Sequence, residues 1–180
     1  MKAKRRRKAR GRKTVMHRGK PDWSGITLES DRSIKGNGAH MHDGYRYCNV
    51  AERRTAWLLD SMGIAFTPDV RIETSRADRF GKTSIYVPDV VFDGDEWLWA
   101  GADGTFTVIH GLENKKKLPS HQPGTYGLPL DQRLDRKQKI LFERRGILIV
   151  VVGDHEIREW LHRFGRLPIY PLDFDAGDLP

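Results

Sequence analysis

Two short groups of polar residues stand in or at the end of apolar stretches, and together they could bind a divalent cation. Asp89 lies in the run Ile85–Phe92, which predicts a buried strand. Glu113 and Lys115 close a second run that begins at Phe106. Successive strand residues point to opposite faces, so Glu113 and Lys115 share a face, and a neighbouring strand would bring Asp89 beside them. The carboxylates suit a hard cation, and the lysine would position or help deprotonate an attacking water.

This pattern resembles the PD-(D/E)XK nuclease superfamily, the restriction-endonuclease-like fold, with Pro88-Asp89 and Glu113-x-Lys115 as its motif residues. The resemblance covers roughly residues 49–152. It implies an α/β fold with a mixed central β-sheet flanked by helices, in the order αβββαβ. It also implies that Asp89, Glu113 and the backbone carbonyl of Asn114 ligate one Mg²⁺ or Mn²⁺, beside which Lys115 steadies the attacking water.

The later part of this region is similar to nucleases related to very-short-patch repair endonucleases, through Asp135, Gln138, Phe142, Gly146, Ile147, Ile149 and Val151. The similarity implies a helix that packs on the catalytic sheet and brings a polar residue to the scissile phosphate. Gln138 is preferred for that role over Lys137 because it lies on the inward side; a simple polar residue at the helix boundary is the alternative. The chain departs from these relatives at His110-Gly111, where a plain hydrophobic residue is common.

Positive charge is concentrated at the N-terminus. Residues 1–20 hold eleven of the 32 basic residues and no acid, which leaves 21 basic against 24 acidic residues in the remainder. Such a segment cannot bury enough apolar surface to fold alone, so it predicts a disordered arm that binds a phosphate backbone. A solubilising or ribosome-associated tail is the alternative. The predicted nucleic-acid-binding residues are Arg5, Arg6, Arg7, Lys8, Arg10, Arg12 and Lys13 of the arm, with Lys116, Lys117 and Lys137 of the body.

Length and composition favour one globular domain. A chain of 180 residues has room for a single core, and no apolar run approaches the length that spans a bilayer. The single cysteine, Cys48, rules out an intrachain disulfide and fits the reducing cytoplasm. The expected boundaries are a largely irregular arm over residues 1–44, a nuclease-like domain over 45–165 and a Pro-rich acidic tail over 166–180.

The first half of the domain predicts a helix followed by a meander of strands. Asn49 is a good N-cap and Gly63 a good C-terminal stop for a helix over residues 49–62, whose apolar side would hold Val50, Trp57, Leu58 and Met62. Glu52 stands at the capping-box position, and the resemblance also gives a glutamate on this helix to the metal site; the two roles are compatible. A strand over 70–74 and a hairpin inserted between the strands of Asp89 and Glu113 would complete the meander.

The second half predicts a helix, a buried strand and a final helix. Residues 118–130 predict a DNA-contacting loop, with an inert insertion as the alternative. A helix from Asp131 to Arg145 would face inward with Leu134, Leu141 and Phe142. The β-branched run 147–152 predicts a central strand, covered on both faces and parallel to a neighbour. Residues 154–164 predict a packing helix that buries Ile157, Trp160, Leu161 and Phe164, and the tail after it shows no periodicity. His40 and His42 are interpreted as surface residues.

These features favour a metal-dependent DNA endonuclease from a phage, mobile-element, repair or restriction context, with Mg²⁺ or Mn²⁺ as cofactor. RNA stays open as a substrate, and the chain could act as a homodimer or with a partner subunit. A different class is a nucleic-acid-binding protein that keeps the nuclease fold without cutting. A third alternative is the endonuclease subunit of a larger transposase complex.

Overall fold

A computed structural model describes residues 20–31, 40–74, 80–94, 96–101, 105–115, 134 and 136–174. Within those ranges the chain forms an α/β fold with these elements in order: β1 (His40–His42), β2 (Tyr45–Tyr47), α1 (Val50–Ser61), β3 (Phe66–Pro68), β4 (Ile72–Glu73), β5 (Ile85–Tyr86), β6 (Val90–Phe92), β7 (Trp97–Ala100), β8 (Phe106–Ile109), β9 (Gly111–Lys115), α2 (Arg136–Arg145), β10 (Ile149–Gly153), α3 (Asp154–Phe164) and β11 (Ile169–Pro171). The predictions for arm residues 2–19, for Lys116 and Lys117, and for the loop over 118–130 lie outside the described residues.

The largest sheet is four-stranded and mixed, in the order β10-β9-β6-β3. β3 pairs antiparallel with β6, and β6 pairs antiparallel with β9. β10 pairs parallel with β9 and follows it in the chain through α2, as a parallel connection requires. Along the chain, the helix α1 therefore precedes three antiparallel strands, after which α2 and a parallel strand follow. This mixed α/β architecture confirms the predicted class.

The prediction that residues 147–152 form a central strand is wrong in one respect. β10 has only β9 as a partner in the described sheet and so lies at its edge. All five of its residues are nonetheless buried, because apolar clusters cover both faces: Val150 and Val152 pack with Leu112 on one side, and Ile149 packs with Leu141 on the other. The β-branched run reflects burial on two faces rather than pairing on two edges.

A second sheet joins the inserted hairpin to the C-terminal part of the chain. β7 and β8 pair antiparallel, and β11 pairs antiparallel with the other edge of β7. The predicted loose tail over 166–180 is therefore wrong for its first part: Leu167 and Ile169 are buried in the core. Three paired residues are too few to show a periodicity, and Pro168 before β11 and Pro171 at its end favour an irregular segment.

Three predicted strands are broken where the chain changes partners. The run 85–92 forms β5, which pairs with β4, and then β6, which belongs to the four-stranded sheet. Val87, Pro88 and Asp89 lie between them, outside any strand. The strand predicted over 70–74 is shortened to β4, and the run from Phe106 divides at His110 into β8 and β9. In each case the sequence predicts which residues are apolar strand residues, but it does not predict where the chain changes its pairing partner.

The predicted ends of α1 and α3 agree with the structure better than their predicted buried sides do. Glu52 N donates to Asn49 Oδ1 at 3.0 Å, and α1 ends at the C-cap Met62, as expected. Its predicted apolar side is partly wrong because Val50 and Trp57 are 40% and 54% exposed, whereas the buried residues are Ala51, Thr55, Ala56, Leu58 and Leu59. In α3 the bounds are correct, but Phe164 is exposed.

Two predicted boundaries also change. Leu134 is buried but not helical, so the helix predicted from Asp131 has its described start at Arg136; Asp131 itself lies outside the described residues. Residues 40–47, predicted as irregular up to residue 44, form the antiparallel pair β1–β2. This pair rests on α1 through a contact of His42 Nε2 with Asp60 Oδ2.

Among the described residues, the structure contains no helix with the length and apolarity needed to cross a membrane.

Candidate functional site

The pairing of β6 with β9 brings Asp89 beside Glu113. Val90 lies opposite Leu112 in this antiparallel register, and Asp89, the residue before β6, has its Oδ2 2.5 Å from the backbone nitrogen of Asn114, the residue after Glu113. Lys115 Nζ lies 2.5 Å from Glu113 Oε1, from the next position on the same face. The structure thus assembles the two carboxylates and the ammonium that the sequence predicts would converge.

Asp89 is the electrostatically strained member of this group. Its Oδ2 accepts a hydrogen bond of 2.5 Å from the backbone N–H of Asn114. Burial, followed by the negative charges of Glu113 and Glu52, raises the pKa of Asp89 well above its ordinary value, and the Asn114 bond only partly opposes this. The negative charges around Asp89 are therefore only partly compensated by nearby donors. A bound cation would reduce this repulsion.

Glu113 is held through both carboxylate oxygens. Oε1 accepts from Lys115, and Oε2 accepts from the hydroxyl of Tyr86 at 3.0 Å. The same hydroxyl oxygen accepts from Gln138 Nε2, also at 3.0 Å. Sequence reasoning gave Gln138 an inward place, which the structure confirms, but missed Tyr86 because it lay within an apolar run. The available signal was that a buried tyrosine hydroxyl usually has a hydrogen-bond partner.

Glu52 caps its own helix and also lies within electrostatic range of the site. Its Oε2 accepts from the backbone N–H of Cys48 at 2.9 Å, and its Oε1 contacts Asn49 Nδ2. The predicted capping role is therefore observed. Burial, followed by the charges of Asp69 and Glu113, raises the pKa of Glu52. Its role in orienting or completing a metal shell stays a prediction.

Asp69 is a fourth carboxylate in this region, and sequence reasoning missed it. It adopts the left-handed conformation, with φ of 51°, and its N–H donates to the backbone oxygen of Asp89 at 3.4 Å. Its Oδ2 accepts from Tyr45 Oη at 2.6 Å, and burial raises its pKa. Its charge contributes to the raised pKa values of both Asp89 and Glu52. The overlooked signal is that Pro68-Asp69-Val70 repeats the tripeptide Pro88-Asp89-Val90.

Asn114, the predicted source of a backbone-carbonyl ligand, turns its side chain away from Glu113. Its Oδ1 accepts from Thr55 Oγ1 of α1 at 2.9 Å, and its Nδ2 is buried with no hydrogen-bond partner among the described residues. The alternation along β9 explains this direction, since Asn114 stands between two residues of the opposite face. Its contact with α1 holds β9 against the helix that carries Glu52.

The donor set fits a hard divalent ion, although its carboxylates are engaged with protein donors. In the described part of the chain, no three side chains of His, Cys, Asp or Glu are close enough together to hold a metal. Mg²⁺ keeps several of its waters and is commonly held through one or two carboxylates, so Asp89 and Glu113 are a sufficient pair. Binding would require Asp89 to give up part of its bond with Asn114, and Glu113 part of its bond with Lys115.

The departure at His110-Gly111 has a clear structural role. Leu148 N donates to His110 Nδ1 at 3.0 Å, which fixes the chain where β8 gives way to β9. A Cβ placed on Gly111 would stand 2.3 Å from the backbone oxygen of Val90 and 2.8 Å from Cδ1 of Ile149. Only glycine permits β6 to approach β9 this closely, two residues before Glu113.

The remaining predicted residue within the described part is Lys137. It is exposed on α2, and its Nζ donates to the backbone oxygen of Ile85, one residue before Tyr86, at 2.7 Å. Its ammonium therefore lies near the strand that supports Glu113.

Comparison with family models, with curated proteins and with solved structures found no match for this chain.

Proposed function

We propose that this chain is a metal-dependent endonuclease that hydrolyses the phosphodiester bonds of DNA, with Asp89 and Glu113 as ligands of one Mg²⁺ or Mn²⁺. The observation that carries the proposal is the proximity of three groups: Asp89 Oδ2 lies 2.5 Å from the backbone nitrogen after Glu113, and Lys115 Nζ lies 2.5 Å from Glu113 Oε1. The chain order of α1, three antiparallel strands, α2 and a parallel strand supports it, because the restriction-endonuclease-like core has that order.

Each side chain has a defined part in this proposal. When bound, the cation would lower the pKa of a water and polarise the scissile phosphate. Lys115 carries its positive charge beside Glu113, where it would orient the attacking water and stabilise the negative charge that develops on the phosphate oxygens. Glu52 would adjust the electrostatic field around Asp89, and the backbone carbonyl of Asn114 would be a further ligand. Lys137 and the basic arm would bind neighbouring phosphates.

The test is cleavage of supercoiled plasmid DNA with Mg²⁺, with Mn²⁺ or with a chelator. We expect wild type to nick or linearise DNA only with metal, and Glu113→Gln and Lys115→Met to lose that activity. Glu73→Gln, on the separate strand β4, and Lys139→Met, on the exposed surface of α2, are matched controls that keep it. Equal cutting by wild type and by the two site variants would identify a contaminating nuclease and contradict the proposal.

A nucleic-acid-binding protein that does not cut is the second candidate. It is favoured by one observation: Asp89 and Glu113 already accept hydrogen bonds from Asn114, Lys115 and Tyr86. Such a protein would bind DNA with the same affinity whether Mg²⁺ or chelator is present. A gel-shift titration under both conditions, alongside the plasmid assay, separates the two candidates.

A further inference from the structure

Three buried side chains form a continuous hydrogen-bonded path from α2 to the candidate site. Gln138 is 1% exposed, Tyr86 is 5% exposed and Glu113 is 8% exposed. Gln138 Nε2 and Tyr86 Oη are 3.0 Å apart, and Tyr86 Oη and Glu113 Oε2 are likewise 3.0 Å apart. The path therefore joins three elements that are distant in sequence: the helix α2, the strand β5 and the strand β9.

The direction of every bond in this path is fixed by chemistry. An ionised carboxylate can only accept, so the single proton of the Tyr86 hydroxyl is donated to Glu113. The hydroxyl oxygen must then accept from its other neighbour, which requires the amide nitrogen of Gln138 to face it. The reverse amide orientation would oppose two acceptors. Gln138 thus orients Tyr86, and Tyr86 in turn constrains Glu113.

The ring of Tyr86 is itself held by packing. It belongs to a buried cluster with Val91 of β6, Leu141 of α2 and Ile149 of β10. Because the ring is fixed by elements on several sides, its hydroxyl presents a donor at one place instead of sampling several rotamers. The hydroxyl therefore acts on a single oxygen of Glu113.

We infer that Tyr86 and Gln138 are positioning residues that fix Oε2 of Glu113 and thereby present Oε1, which would give up part of its contact with Lys115 to bind a divalent cation. The inference rests on the proposed function. It assigns Gln138 a different part from the one implied by the nuclease resemblance, in which this residue approaches the scissile phosphate. In this structure its amide reaches Glu113 through the tyrosine hydroxyl.

The first measurement is Mn²⁺ binding to the full-length protein, followed by electron paramagnetic resonance of the free ion. Contacts that orient a metal ligand are typically worth 10–100-fold in metal affinity, so we expect Tyr86→Phe to raise the Kd for Mn²⁺ about 10–100-fold. Plasmid cleavage by Tyr86→Phe should recover when Mn²⁺ is raised by a similar factor. Tyr170→Phe, a buried tyrosine on β11, is the matched control and should bind and cleave like wild type.

The second measurement is a double-mutant cycle. If Gln138 acts through Tyr86, Gln138→Leu should weaken Mn²⁺ binding in the wild-type background and have no further effect in the Tyr86→Phe background. Thermal melts of each variant in chelator verify that the fold is retained. An additional loss of DNA cleavage from Gln138→Leu in the Tyr86→Phe background would mean that Gln138 acts on substrate independently, and would overturn the inference.

The outcomes also separate this inference from the proposed function. Wild-type protein that neither binds Mn²⁺ nor cleaves DNA would overturn both. Wild-type protein that is active, beside a Tyr86→Phe variant with unchanged Mn²⁺ affinity, would overturn the positioning role alone and leave the nuclease proposal standing.

Discussion

The two larger sheets of this protein differ in what they bury. The four-stranded sheet holds Glu113 and, at one end, Asp89, whose pKa is raised by burial and by like charges. The three-stranded sheet of the inserted hairpin packs on apolar and aromatic residues: Leu98, Phe106, Val108 and Tyr170 form its cluster. Both sheets thus pack against apolar clusters, but the carboxylates of Asp89 and Glu113 belong to the four-stranded sheet. Changes at the first sheet should alter chemistry, and changes at the second should alter stability.

The largest effect is expected from Glu113→Gln. Contacts that only orient metal ligands are typically worth 10–100-fold, so loss of the ligand charge should reduce cleavage at least about 100-fold. The melting temperature in chelator should stay close to that of wild type, because loss of the ion pair with Lys115 is accompanied by weaker repulsion on Asp89. Plasmid cleavage and calorimetry measure the two quantities. A collapse of stability would mean that this glutamate is mainly structural.

Leu98→Ala, in the three-stranded sheet, should lower stability without lowering the intrinsic rate of cleavage. Leu98 is 5% exposed, and truncating such a residue typically costs about 2–5 kcal/mol of unfolding free energy. Urea denaturation measures this loss. Cleavage assayed at a temperature where the variant is still folded should match wild type, since Leu98 lies in the other sheet. A specific loss of cleavage would show that the two sheets are coupled.

A smaller effect distinguishes the two roles of Glu52. Asn49→Ala removes the acceptor for Glu52 N and should lower the unfolding free energy by about 1 kcal/mol. Glu52→Gln retains a capping-box residue and should leave stability near wild type. It also removes a negative charge near Asp89, and we expect cleavage to slow about tenfold, as for residues that orient metal ligands. Unchanged cleavage by Glu52→Gln would restrict this residue to capping.

The smallest effect is a pH dependence of stability in chelator. Burial and neighbouring charges raise the pKa of Asp89 in the folded protein above its ordinary value of 3.8. Between these two pKa values the folded state binds more protons than the unfolded state, so the unfolding free energy should fall as pH rises. Asp89→Asn should reduce that slope and leave the part due to Glu52, whose pKa is also raised. Urea denaturation at several pH values in this range measures the slope of the unfolding free energy. An unchanged slope in Asp89→Asn would contradict the assignment of this pH dependence to Asp89.

Elements with local signals were the predictable ones. Asn49 caps α1, and Gly165 ends α3 in the left-handed conformation, so both helices could be placed from short stretches of sequence. The inserted hairpin β7–β8 followed from the turn residues on either side of β7. Strand alternation along β9 correctly predicted that Glu113 and Lys115 share a face. Asp89 lies between β5 and β6 and comes near them through the pairing of β6 with β9.

Features that depend on distant partners could not be predicted. Tyr86 matters because β5 leaves the run of Asp89 and pairs with β4, which sets its hydroxyl against Glu113. Asp69 approaches the site through a left-handed turn after β3, and the repeated tripeptide Pro68-Asp69-Val70 does not by itself specify that approach. β11 is a strand through its pairing with β7, a contact that its own short sequence does not specify. In each case a tertiary contact decided the outcome.

Gly111 has no side chain, and this allows β6 and β9 to lie close together beside Asp89 and Glu113. With any larger residue there, the backbone of Val90 would have to retreat, and the gap between Asp89 and Glu113 would widen with it. A saturation library screened separately for expression and for cutting should therefore show position 111 tolerating alanine poorly in the second screen. In the proposed site, Mg²⁺ would need carboxylate oxygens that can approach it closely, and the hydrogen atom that Gly111 carries in place of a side chain lets β6 and β9 lie near enough for this.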